Sequence, residues 1–131
     1  MIPSSLLRRA LLADAVFSGI AAALLTVDAG ALAPLLELPE GPLRETGLFL
    51  IAYTALVGWL SSRSSLPKAL VTLVIAGNAA WTVGSIALLL SGTVAPNALG
   101  EAFIVAQAIA TGVFAELQYM GLRRSASEAV A

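Results

Sequence analysis

Apolar residues run almost unbroken through four stretches, roughly Leu6 to Val27, Leu43 to Leu60, Pro67 to Leu90 and Asn97 to Leu122, and most of the charge falls at their ends or between them. Each stretch is close to the ~20 residues that cross about 30 Å of hydrocarbon at about 1.5 Å per residue. An isolated strand leaves its backbone unpaired in lipid, so all four are predicted transmembrane helices. The chain reads as an all-α, polytopic transmembrane four-helix bundle, a single integral membrane domain over residues 1–131. Boundary chemistry agrees. Ser4 and Ser5 suit the cap of the first helix, Pro42 and Pro67 suit first turns, and Pro96 with Asn97 can open the fourth. The linker from Ala29 to Gly41 carries Leu32, Leu35, Leu36 and Leu38 between prolines and is expected to lie on the membrane interface.

Composition moves the chain out of the soluble class, since 59% of its residues are hydrophobic and only 11% charged, against about 25% charged in soluble domains. A net charge of −1 without a basic tail offers no electrostatic footprint for nucleic acid. The chain has neither cysteine nor histidine, which excludes disulfides, thiolate or imidazole metal sites, bis-histidine haem ligation and cysteine or histidine catalysis. No cofactor or metal is expected. Any site must use carboxylates, amides, hydroxyls or aromatic rings.

Cations set the expected orientation. Arg8, Arg9, Arg63, Lys68, Arg123 and Arg124 fall on one side and only Arg44 on the other, so both termini are expected in the cytoplasm. The opposite rim carries Asp28, Glu37, Glu40, Glu45 and Glu101. Arg8 and Arg9 before an apolar run ending in Ala29-Gly30-Ala31-Leu32-Ala33 imitate a secretory signal. Asp14 inside that run, and the run's length, argue for a retained helix.

The third span can be laid on the first with Asn78 opposite Asp14, Trp81 opposite Phe17 and Thr82 opposite Ser18. Phe103 to Gln107 then falls on Phe49 to Tyr53. Two helical hairpins related by a parallel duplication are the expectation, with a pseudo-twofold axis along the membrane normal.

Polar residues inside the spans are the candidate chemistry. Asp14 lies five residues past Arg9 and Glu116 seven before Arg123, placing the two carboxylates about 8 and 10 Å deep on the same side. If they converge, mutual repulsion and desolvation would keep a proton on at least one of them, as proton coupling requires. Otherwise each reaches to the headgroups or pairs with a nearby arginine. Ser18 follows Asp14 by one turn. Asn78, Thr82 and Ser85 form a stripe on the third span, and Gln107, Thr111 and Gln118 form one on the fourth. Tyr53 and Thr54 add hydroxyls from the second. These stripes are expected to meet as interhelical hydrogen bonds, and Trp81 is deep enough to need an acceptor. Gly19, Ala22, Ala23, Gly77, Gly84, Ala108 and Gly112 are expected at close helix contacts, with Trp59 and Tyr119 in an interfacial belt.

The segments Leu12-Ala13-Asp14-Ala15, Asn78-Ala79-Ala80-Trp81 and Leu99 to Ala108 resemble a group of small, uncharacterised four-helix inner-membrane proteins of proteobacteria. That resemblance implies a bacterial inner membrane and no activity. In size and helix count the chain is also similar to the DoxX-like proteins, without a shared diagnostic motif. Small multidrug resistance transporters likewise have four helices and a carboxylate in the first, where Asp14 stands, but their aromatic and glycine signature is missing and their inverted pairing differs from a parallel duplication.

Three function classes follow: a non-catalytic bundle that self-associates or joins a larger membrane complex; a proton-coupled transporter using Asp14 and Glu116; and a lipid or quinone binder with its headgroup near Asn78, Trp81 and Gln107. An enzyme ranks last, because no nucleophile and base pair is recognisable by spacing. The first class is the one the sequence favours, with membrane lipids and a second copy or membrane protein as partners.

Overall fold

The computed structural model describes residues 1–130, with side chains placed through Ser125. It holds five helices: α1 (Ser5–Val27), α2 (Ala29–Leu36), α3 (Glu40–Ser62), α4 (Lys68–Ser91) and α5 (Ala98–Val130). Four of them, α1, α3, α4 and α5 through Ser125, are long and apolar enough to span a membrane. The chain is a multi-pass membrane bundle. The expected interfacial linker is helical as α2, although Pro34 lies inside it. Glu37 ends that helix in the left-handed region (φ 53°), so that the Leu38 amide bonds Ala33 O.

Caps fix the helix ends. Ser4 Oγ accepts from the Leu7 amide at 3.2 Å and Asn97 Oδ1 from the Gly100 amide at 2.8 Å. Arg8 does not pair with an acid. Its guanidinium donates to Ser61 O and Arg63 O, filling carbonyls at the end of α3 where a cation also suits the helix dipole. The Ser4 amide bonds Ser125 Oγ at 2.7 Å and Ser4 Oγ bonds Gly121 O at 2.8 Å, tying the start of α1 to α5. At this arginine-rich end, Arg63 lies over the Trp59 ring and Arg123 over Tyr119, as an interfacial belt requires.

α1 buries Leu7, Leu11, Asp14, Ser18, Ala22 and Leu25, a 3–4 spacing that makes one stripe. Along this stripe α1 packs against α3 and α5, and α5 in turn packs against α4. Each hairpin is therefore closed and α1 joins α5, but α3 and α4 do not pack closely. Two apolar cores result. One, at the arginine-rich end, contains Leu7, Leu11, Val57, Leu60, Leu66, Val71 and Leu122. The other gathers Leu25, Ala29 and Leu43 under Leu32, Leu38 and Phe103.

Close approach occurs at glycines other than most of those singled out by spacing. A Cβ at Gly47 would lie 2.5 Å from Thr26 Oγ1 and 2.8 Å from Leu25 C. At Gly121 it would lie 2.6 Å from Leu7 Cα, and at Gly100 it would collide with Leu36 O. Gly19 and Gly112 do sit at contacts, against Thr54 and Thr82, whereas Gly77 and Gly84 face open space and Ala23 is exposed. We therefore expect Gly47→Ala to lower the unfolding free energy in detergent by about 1–3 kcal/mol. Gly84→Ala should stay within about 0.5 kcal/mol of wild type. Equal effects in the two denaturation curves would contradict this packing.

Candidate functional site

A carboxylate inside an apolar helix must find donors, and Asp14 finds them on all four spans. It is 1% exposed. Ser18 Oγ, one turn along α1, donates to Oδ1 at 3.0 Å. Oδ2 accepts from Tyr53 OH of α3 at 2.7 Å, Asn78 Nδ2 of α4 at 2.9 Å and Gln118 Nε2 of α5 at 2.8 Å. Asn78 Nδ2 also donates to Gln118 Oε1 at 3.0 Å. Because a carboxylate accepts, both amides must turn their nitrogens toward it, which fixes their orientation. An acid at the centre of a span costs about 3 kcal/mol, while interhelical hydrogen bonds in membranes contribute about 0.6 to 2 kcal/mol each. Four such bonds offset that cost with no cation, and among the described residues the sole ion pair is the exposed Arg44–Glu40 contact at 2.9 Å. The layer thereby couples the two hairpins. Asp14 and Asn78, the positions matched in the duplication, touch directly.

Glu116 is not part of this layer. It is exposed, and the buried polar residue of that turn is Gln118. The reason is angular. At about 100° per residue, Glu116 lies nine residues and half a turn from Gln107, whereas Gln118 lies eleven residues and close to three full turns away. The convergence of two carboxylates on which the proton-coupled alternative depends does not occur; one carboxylate is ringed by neutral donors instead. Asp14 does not reach to the headgroups or take an arginine partner either.

A second polar cluster lies farther from the arginine-rich end. Trp81 Nε1 donates to Gln107 Oε1 at 2.6 Å, and Gln107 Nε2 donates to Ser85 Oγ and Ile104 O, each at 2.9 Å. Thr82 Oγ1 donates to Ala108 O at 2.8 Å and lies 2.7 Å from Thr111 Oγ1. The polar stripes thus meet as interhelical bonds, and the deep tryptophan has its acceptor. Thr54 contributes none, because its Oγ1 is buried without a partner among the described residues.

Between the clusters, in the gap where α3 and α4 fail to pack, lies a cavity of about 570 Å³. Its wall is mostly apolar, with Phe17, Phe49, Leu50, Leu56, Leu73 and Phe103 among its residues. Along α3 it runs from Pro42 to Leu56, about 21 Å at helical rise. Phe49 stacks on Trp81 across the gap with centroids 6.1 Å apart and planes 2° from parallel. Ser18, Tyr53 and Asn78 line it with Asp14 behind them, and Trp81, Ser85, Gln107 and Thr111 line it farther along. Sequence reasoning placed Gln118 and Ser85 only in helix-packing stripes and did not single out the ring of Phe49, which carries no polar signal.

Replacing Gln118 by Leu, which leaves Asp14 and Asn78 short of a partner, should destabilise the protein by about 1–3 kcal/mol in reversible denaturation. Glu116→Gln should change it by less than about 0.5 kcal/mol. The reverse order would mean that Glu116, not Gln118, belongs to the Asp14 layer. No family model, no curated protein and no solved structure matches this chain, so its functional reading stands on the geometry of the Asp14 layer and the cavity beside it.

Proposed function

We propose that this small membrane protein is a non-catalytic binder that holds one amphiphile of the lipid or quinone class between α3 and α4. The cavity carries this reading. Its volume of about 570 Å³ lies inside the range of about 300–1,000 Å³ that encloses a small-molecule ligand, and ligand sites pair mostly apolar walls with a few placed polar groups. The tail occupies the stretch lined by Phe17, Phe49, Leu50 and Phe103, and the head rests against Ser18, Tyr53 and Asn78. A gap between two spans lets such a molecule enter sideways from the bilayer.

The membrane in this proposal is the bacterial inner membrane, with the arginine-rich end and both termini in the cytoplasm. The distribution of Arg8, Arg9, Arg63, Lys68, Arg123 and Arg124 supports that orientation. A second reading, self-association or docking to a larger membrane complex, draws on α4. That helix packs closely along α5 alone and leaves Leu73, Val83 and Leu90 largely exposed.

Gly77 supplies a test. It lines the cavity with nothing within 4 Å of where its Cβ would be, so Gly77→Leu starts a side chain into that open space. Native mass spectrometry after mild extraction should find one apolar small molecule on the wild type and none on Gly77→Leu, with similar melting temperatures. The same occupant at the same stoichiometry on both proteins would sink the proposal. Those spectra also report copy number, on which the second reading depends.

A further inference from the structure

Resting on the amphiphile-binding reading, we infer that the headgroup taken at the Asp14 end is a hydrogen-bond donor, and an ammonium in preference to a hydroxyl. The argument is a census of hydrogens. Tyr53 and Ser18 each have one hydroxyl hydrogen, and both are spent on Asp14. Asn78 has two amide hydrogens, spent on Asp14 and Gln118. What these three side chains have left for the cavity is hydroxyl lone pairs and the Asn78 carbonyl, which has no partner among the described residues.

Farther along the wall the donors are equally committed. The Trp81 indole serves Gln107, both amide hydrogens of Gln107 are used, and Thr111 bonds Ala108 O at 3.1 Å. The exception is Ser85, whose hydroxyl accepts from Gln107 and keeps its own hydrogen. It lies seven residues, about 10 Å, along α4 from Asn78, beyond reach of a headgroup seated at Tyr53.

A site that offers only acceptors rejects a headgroup that can only accept, because lone pairs are then buried against lone pairs. Ketones and oxidised quinones fall in that class, whereas a hydroquinone, an alcohol or an amine meets the wall. Charge narrows the choice. Among the described residues none lining the cavity is cationic, and the carboxylate directly behind Tyr53 and Asn78 has no cationic partner. An anionic head finds no counter-charge there. An ammonium finds a carboxylate behind a low-dielectric wall in which the aromatic rings of Tyr53 and Phe49 also stand.

A competition experiment tests both parts. The purified protein in detergent is incubated with an equimolar mixture of dodecylamine, 1-dodecanol, 2-dodecanone and dodecanoate, and the bound species are read by native mass spectrometry. The amine and the alcohol should exceed the ketone and the carboxylate by at least about tenfold, with the amine foremost. Equal loading of all four would overturn the donor rule while leaving the amphiphile site intact. Displacement of none by Gly77→Leu would remove the site itself, and with it this inference. In Asp14→Asn the amine should lose its lead over the alcohol, whose retained binding certifies the fold. A lead that survives the substitution would refute the role of the carboxylate.

Discussion

One carboxylate in hydrocarbon constrains the rest of this structure. Asp14 cannot be left bare in a medium without water, and it has no arginine within reach. Its oxygens are instead filled by Ser18, Tyr53, Asn78 and Gln118, which come from all four spans. Apolar contacts between helices discriminate weakly in lipid, because the tails are as apolar as leucine. Hydrogen bonds to a buried acid are specific in direction and partner. They set the rotation of each helix about its own axis and join α4 to α1, helices that do not otherwise pack closely.

The same layer explains why the middle of the bundle stays open. Tight packing occurs where glycines let backbones meet, at Gly47 against Thr26, at Gly100 against Leu36 and at Gly121 against Leu7. All three contacts lie toward the ends of the bundle, and all serve α1, α2, α3 or α5. On α4 itself Gly77 and Gly84 meet nothing, and the looser contact of Gly112 with Thr82 is the glycine approach that serves it. It is held to α5 by Trp81, Thr82 and Ser85 and to Asp14 by Asn78. Across the cavity between it and α3, the rings of Phe49 and Trp81 stack with their planes parallel.

Much of this was legible in the sequence, for identifiable reasons. Hydropathy and length placed the spans, because a membrane helix needs little beyond about 20 apolar residues. Helical spacing placed the polar stripes, but the burial of Asp14 was not legible, since its shallow depth below Arg8 and Arg9 favours reaching to the headgroups or pairing with an arginine. The spacing of α5 also contains the choice between Glu116 and Gln118, in the angle around the helix and not in depth below the arginines. Depth alone favoured the acid. The close glycines were illegible, since Gly47, Gly100 and Gly121 differ from Gly77 and Gly84 only in what another segment brings against them. The helical form of α2 was hidden by Pro34, which its second turn tolerates because α2 is short and anchored by Asn97, whose Nδ2 donates to Leu35 O at 2.8 Å.

These strengths also determine where the bundle opens. Separating α3 from α4 along the cavity breaks the Phe49–Trp81 stack, worth about 0.5–1.5 kcal/mol beyond buried area. Separating them at the Asp14 layer strips hydrogen bonds from a charged group in lipid, at about 1–3 kcal/mol or more for each donor lost. The stack yields first. The gap between α3 and α4 is therefore held more firmly at the Asp14 layer than along the cavity, which extends toward the end carrying α2, where Leu38, Pro39 and Val94 line it. The hydrogen bonds that fix the fold thus also fix the polar wall of the cavity at Ser18, Tyr53 and Asn78.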